Sequence, residues 1–504
     1  MNSKVALSPF KNKASRRCNT LQQIRKEMKK HLLTAMAIFL VLTGRSQWLV
    51  QNPGFTQDSV GFYEMSLPDK NTVWAVCYDG INGLLSGKPV LSFTRTVNGG
   101  TTWIPGKLGA DNTLRFSNIS AIDGQEAWVA MHKIGTFIPF MGAGFDKGGG
   151  GIFHTTDGGV TWEHTEPGEL FDDNSVPRFV HFKDKNHGIA VGDPNGGYWE
   201  VYLTNNKGKK WKRVRTENLP APLENEKGWI SGYSVIGDTI WFGTTAGRMY
   251  KSVDFGKTWE VLTVTLMPGT EVNEIAFLDD GLTGVAHLRN PSIFRTYVFS
   301  TTDGGLTWTN YFQPANWKNS RVTAVPGTNA FVSTSTHNNP LFTGSSVSYD
   351  AGQTWTHIDQ TAQKAVCRFY DANTGYAGGF HFSGHPFWGV RGIFKSEIVF
   401  QMPATQQSSK ASMNADAQKN VTHAALKVYP TPASDIIKIE LPSTFTNAST
   451  VIEIVSNEGK VVDTRILKAS DVTQVNVSRL IPGIYVVRAT NKSQTISKMV
   501  TIAR

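Results

Sequence analysis

Arg115, Arg178 and Arg321 each stand at the start of an apolar run in this chain. His132, His287 with Arg289, His337, and His381 with His385 each follow a short run of small residues. Guanidinium groups pair bidentately with carboxylates and phosphates, so arginines converging on one mouth would hold an anion. Aromatic residues share these stretches: Phe137, Phe140, Phe145, Phe387 and Trp388. The combination specifies a cationic, aromatic-lined pocket suited to an acidic sugar or another anion. The simpler alternative is that loop histidines and arginines are merely solvated. Asp79 and Asp193 occupy equivalent places, where Asp193 could bind ligand or the two could act as acid and base on a glycoside. Nothing in the sequence sets their separation. His381-x-x-x-His385 and His181-x5-His187 could ligate a metal, but no third ligand stands at a fixed spacing, so no metal or other cofactor is expected.

The elements that would position these residues are announced by a phrase near S/T-x-D-x-G-x-T-W. Its short polar residue and tryptophan are Asn98 and Trp103, Asp157 and Trp162, Asp254 and Trp259, Asp303 and Trp308, and Asp350 and Trp355; a shorter version ends at Trp211. Successive tryptophans are 59, 49, 48, 49 and 47 residues apart, a period of stacked or radial units. Asp or Asn before Gly suits a tight hairpin, because the side chain caps turn amides and Gly accepts positive φ. Burying most of an indole contributes roughly 5 kcal/mol gross, from about 200 Å² at about 25 cal/mol/Å². Between the phrases, short apolar runs alternate with Gly, Asn and Asp, which favours four-stranded blades over helical repeats.

The phrase resembles the Asp-box (BNR) hairpin of sialidases, sortilin ectodomains, xyloglucanases and photosystem II assembly factor-like proteins. The resemblance implies an all-β, seven-bladed β-propeller in which the Asp-box residues are structural. An eighth blade or an open ring are the alternatives. The last unit, from Ala365 to about Val399, lacks an Asp-box tryptophan, and Trp48-Leu49-Val50-Gln51 looks like the missing strand. If it closes the seventh blade, no sheet edge is left exposed there. Asp-box hairpins then lie on one face, and the long loops between second and third strands, which carry the candidate residues, lie on the other.

Four segments follow: a leader and signal peptide at 1–46, a propeller at 47–400, a flexible linker at 401–420 and a small Ig-like β-sandwich at 421–504. The chain's net charge of +10 belongs to the leader, whose ten Lys/Arg and one Glu give +9 and leave +1 (40 basic, 39 acidic) for the rest. No nucleic-acid partner is expected. Met28-Lys29-Lys30 and the apolar Leu32 to Gly44 read as a signal peptide cleaved before Gln47, with Met28 a possible true start and an uncleaved anchor the alternative. Cys77 and Cys367 are expected as buried thiols rather than a disulfide. About seven alternating runs in the tail argue for the sandwich. Val428-Tyr429-Pro430-Thr431-Pro432, Asn457-Glu458-Gly459-Lys460 and Pro482-Gly483-Ile484-Tyr485 resemble the type A C-terminal sorting domain of the type IX secretion system of Bacteroidota. This implies export to the cell surface or medium, with the secretion machinery as partner of residues 421–504. The alternative is a carbohydrate- or fibronectin-like accessory module.

The combined expectation is a monomeric, secreted or surface-attached propeller. It would bind a glycan or protein at the channel mouth through Arg115, His132, Arg178, Asp193, His287, Arg289, Arg321, His337, His381, His385 and Trp388, without catalysis. The alternative is a sialidase- or xyloglucanase-like glycoside hydrolase. Against it, sialidases carry six blades and an Arg-Ile-Pro motif, and no such motif is present.

Overall fold

The computed structural model describes residues 47–56, 60–79, 91–109, 113–138, 143–166, 168–337, 339, 342–379, 392–400, 427–430, 433–441, 450–456, 461–467, 473–490 and 495–503. The leader and linker lie outside them. Among the described residues the only helical segment is the 3-10 turn Thr216–Asn218. None of their helices is long and apolar enough to cross a membrane.

Between Trp48 and Ser396 the strands among the described residues form seven four-stranded sheets, numbered here 1 to 7 in the order of their inner strands. The inner strands are Val60–Ser66, Leu114–Ala121, Pro177–Phe182, Gly228–Ile236, Glu271–Phe277, Arg321–Ala324 and Lys364–Asp371. Each pairs antiparallel with the strand that follows it in sequence. Each inner strand packs against that of the next sheet, and the seventh packs against the first. This is a propeller fold. Sheet 7 takes Trp48–Gln51 as its outer strand, beside Ile393–Ser396. Sheets 7 and 1 are further joined by Arg368 Nη2 donating to Glu64 Oε2 at 2.8 Å and Lys395 Nζ donating to the Gly99 carbonyl at 2.8 Å.

The hairpin phrase forms one hydrogen-bonded knot six times. In the second, Thr155 Oγ1 donates to Asp157 Oδ1 (2.9 Å) and accepts from Gly159 N (2.9 Å). Thr161 gives its amide to Oδ1 (2.9 Å) and its hydroxyl to Oδ2 (2.6 Å). The turn glycines have φ of +76° and +84°, a region costly for any Cβ. Asp254, Asp303 and Asp350 make the same pattern. Asn98 and Asn206, the latter in the hairpin ending at Trp211, keep the bonds to Oδ1, and Asn98 Nδ2 donates to Thr102 Oγ1. The tryptophans fold back under the turns: Trp259, Trp308 and Trp355 donate to the carbonyls of Gly256, Gly305 and Gly352 at 2.9–3.0 Å. Trp103 donates instead to Gln51 Oε1 at 2.9 Å.

The turns also join sheet to sheet. A side chain of one sheet donates to an Asp-box carbonyl of the next: Arg95 to Gly158, Trp128 to Lys207 and Trp241 to Gly304. Trp128 and Trp241 lie in the second strands Ala127–Ile138 and Thr239–Thr244.

Hydrogen bonds from Thr161 hold the Asp157 carboxyl down at about 2. The folded state therefore keeps the carboxylate when the unfolded chain, near 3.8, has taken up a proton. Its contribution is full above pH 4 and fades as pH falls through 2. Asp157→Ala is expected to melt below the parent at pH 7, with the gap in melting temperature narrowing between pH 4 and pH 2.

Two predicted loops are strands. Residues 132–138 and 143–150 belong to the hairpin strands Ala127–Ile138 and Ala143–Thr155, and residues 287–290 and 295–296 to Gly284–Asn290 and Arg295–Thr301. In both, alternating residues continue the ladder beyond the run of small side chains.

The tail packs a three-stranded sheet (Lys427–Tyr429, Ile436–Glu440, Thr473–Asn476) and a four-stranded one (Thr450–Ser456, Val461–Leu467, Gly483–Thr490, Thr495–Ile502) on one core. Ile437, Ile439, Ile452, Ile454, Val475 and Val487 form its centre. Cys77 and Cys367 are buried free thiols. Burial raises both, Cys367 to about 12, which leaves them unreactive.

Candidate functional site

Inner strands set the chemistry of the channel, because their bulges turn a residue inward. In sheets 1, 2, 4 and 5 the residue after the bulge is Glu64, Asn118, Tyr233 and Glu274. Asn118 bridges to the next inner strand, accepting from Val180 N and donating to Val180 O, both at 2.9 Å. It also donates to Tyr233 Oη at 3.1 Å. The Tyr233 ring stacks on Phe179 with centroids 4.1 Å apart. Burial, and then the nearby Glu64 carboxylate, push the Tyr233 hydroxyl up to about 12.

Arg321 donates to Glu274 Oε1, and Val322 N donates to Glu274 Oε2 at 2.8 Å. Burial raises the Glu274 carboxyl, and Arg321 and Arg368 oppose that rise. Together with the Arg368–Glu64 pair this places two arginines and two carboxylates in the inner strands, with no net charge.

Three of the anticipated binding residues, Arg178, Asp193 and Arg289, are occupied in the same way. Arg178 grips Asp193 bidentately, Nε to Oδ1 at 2.8 Å and Nη2 to Oδ2 at 2.6 Å. Asp193 Oδ1 also accepts from Gly228 N of sheet 4 at 3.0 Å. Both side chains are over 90% buried, 7% and 3% exposed. Arg289 donates to Glu271 Oε2 at 2.8 Å and lies over the Trp229 ring at 4.2 Å.

His132 is buried, its Nδ1 2.8 Å from Ser117 Oγ. Since that hydroxyl gives its proton to Pro177 O at 2.5 Å, Nδ1 is the donor. Arg115 is half-buried and pairs in register with His132. His337 is exposed, takes Asn339 N at 3.0 Å and touches Phe342. His381, His385 and Trp388 lie outside the described residues, as does the side chain of Asp79, whose backbone ends the strand Val73–Asp79. The structure thus brings together Arg178 with Asp193, and Arg321 with His287. It does not assemble a ring of unpaired cations from the described residues.

His287 is buried beside Trp317, with neither ring nitrogen hydrogen-bonded among the described residues. Burial, then Arg289 and Arg321, hold it down at about 3. On unfolding it regains a value near 6.5 and takes up a proton below that, so its contribution is full above pH 6.5 and is lost as pH falls toward 3. Imidazole NMR is expected to show no titration of His287 between pH 5 and pH 8.

The channel holds a cavity of about 640 Å³ lined by all seven inner strands, with Leu67, Ile122, Lys183, Ile236, Asp279 and Pro326 toward its rim. These residues lie at or just past the C-terminal ends of the inner strands, on the Asp-box side. A smaller cavity of about 190 Å³ beside Arg321, Tyr63 and Tyr78 lies at the opposite end, where the sequence placed the mouth. Glu64, Glu274, Arg368 and Tyr233 escaped the sequence reading. The available signal was a charged or tyrosine residue inside otherwise apolar inner runs. No group of three or more His, Cys, Asp or Glu among the described residues could hold a metal ion.

Residues 427–503 match the family of secretion system C-terminal sorting domains, which implies interaction with the type IX machinery and export. No curated protein sequence matches the chain. Among solved structures it is similar to YCF48 bound to D1 peptide, with 17% identity, a TM-score of 0.45 and coverage of 70% of this chain and 97% of that one. It is also similar to a mutant Trypanosoma rangeli sialidase displaying trans-sialidase activity, with 10% identity, a TM-score of 0.35 and coverage of 88% and 84%. A third is the GH74 xyloglucanase from Xanthomonas campestris, with 12% identity, a TM-score of 0.26 and coverage of 91% and 76%. At these scores the likeness carries no inference about activity or ligand.

Proposed function

We propose that the chain is an exported, seven-bladed propeller that binds a glycan or protein without turning it over, delivered by an Ig-like sorting sandwich. The observation that carries this reading is Asp193 locked in its bidentate pair with Arg178. A glycosidase acid must exchange protons with substrate, and a carboxylate 3% exposed with both oxygens taken is held away from that role. Glu64 and Glu274 are tied to arginines in the same manner.

The same pairings move the expected ligand away from acidic sugars, since Arg178, Arg289, Arg321 and Arg368 each already hold a carboxylate. A signal peptide cleaved near Gln47 and a monomeric state complete the reading. The test is to produce the exported protein and screen it against a glycan panel and chromogenic glycosides. Saturable binding with no release of chromophore is expected. Turnover abolished by Asp193→Asn would overturn the reading.

A further inference from the structure

One position recurs in all seven inner strands. In register with the second-strand residues Trp74, Trp128, Ile189, Trp241, Val285, Val332 and Tyr376 stand Ser66, Ser120, His181, Ser234, Ala276, Thr323 and Arg368. Every one of these partners lines the 640 Å³ cavity. They form a ring of four hydroxyls, one imidazole, one guanidinium and one methyl.

We propose that this ring, at the Asp-box end of the channel, seats a neutral hydroxyl-rich ligand, a short oligosaccharide. The proposal rests on the reading of the chain as a non-catalytic binder, and it names that binder's site and ligand class.

The ring is rigid and pre-organised. Ser66, Ser120 and Ser234 accept the amides of Ala121, Phe182 and Phe277 in the next sheets at 2.9, 2.9 and 3.2 Å. Those bonds fix the oxygens, and none of the three hydroxyls donates its proton to another described residue. His181 makes no hydrogen bond among the described residues, and burial holds it down at about 4, so at neutral pH it offers one donor and one acceptor.

Charge in the cavity is cancelled. Arg368 gives one nitrogen to Glu64 at 2.8 Å and another to the Cys367 carbonyl at 3.1 Å. At the rim Lys183 meets Asp238 at 2.7 Å and Lys185 meets Asp123 at 3.2 Å. An anion entering here would shed water and find no unspent cation. A sugar ring, whose neighbouring hydroxyls both donate and accept, matches a wall of mixed donors and acceptors. The Tyr233 ring lines the same cavity and offers an aromatic face. A cavity of 640 Å³ is of ordinary ligand-site size. A peptide could enter such a closed circle only by a terminus, whose charge the ring does not complement.

The test uses the full exported chain in calorimetric titrations with maltotriose, cellotriose and glucuronic acid. At least one neutral trisaccharide is expected to bind, and glucuronic acid is not. Ala276→Leu, which fills the ring, is expected to weaken that binding at least about tenfold. Thr323→Val, which removes one hydroxyl at constant shape and guards against misfolding of the first variant, should weaken it about threefold or more.

Loss of binding in Arg289→Ala or His337→Ala, with both ring variants unaffected, would move the ligand to the opposite mouth. That result overturns the ring while sparing the binder reading. Failure of both neutral saccharides to bind, or binding of a peptide probe alone, also overturns the ring. Release of chromophore from a glycoside would instead sink the non-catalytic reading on which it rests.

Discussion

Glu274→Ala is expected to lower the stability of the propeller by roughly 3–5 kcal/mol, because it leaves the Arg321 guanidinium buried without its counter-charge. Glu274 is 2% exposed and Arg321 16%, so water cannot easily replace the missing partner. The same substitution strips Val322 N of its acceptor, which adds to the cost. Replacing both charges together, Glu274→Leu with Arg321→Met, should cost much less than Glu274→Ala alone, since no lone charge remains. Chemical denaturation of the three proteins checks this. Equal losses for the single and double variants would show that the pair matters for packing alone.

Trp128→Ala carries the second large effect, roughly 3–5 kcal/mol. Trp128 is fully buried, sandwiched between the Phe182 ring at 3.6 Å and the His154 ring at 4.3 Å. Its indole N–H reaches the Lys207 carbonyl of the next Asp-box turn at 3.2 Å. The residue therefore serves the sheet it belongs to and the joint with its neighbour. Trp128→Phe keeps an aromatic ring and loses the hydrogen bond, so a cost of about 1–2 kcal/mol separates that bond from the packing. A thermal melt of Trp128→Ala within a degree or two of the parent would contradict the stitching of sheet to sheet through these tryptophans.

The architecture was legible in the sequence because its signal is local. Thr155, Asp157, Gly159 and Thr161 make their knot within seven residues, so type and spacing suffice to read it. The strand Trp48–Gln51 was legible by its likeness to the strands that follow each Asp-box. The site was not, because its chemistry is decided between sheets. Arg178 and Arg321 look like free cations until the fold brings Asp193 and Glu274 against them, from 15 and 47 residues away. Similarly, Ser66, Ser120 and Ser234 are unremarkable serines until register places them at one level of the channel. Inner-strand bulges add to the difficulty, since each shifts by one residue which side chains face inward.

The central claim is that Arg178, Arg289, Arg321 and Arg368 are spent on the propeller's own carboxylates and so do not form an anion-binding mouth. Side-chain NMR of the Arg178 and Arg321 Nε–Hε groups, recorded while a hexuronic acid is titrated at low salt, tests it most directly. Both signals are expected to stay fixed to millimolar ligand. Saturable shifts of either, removed by added salt, would contradict it.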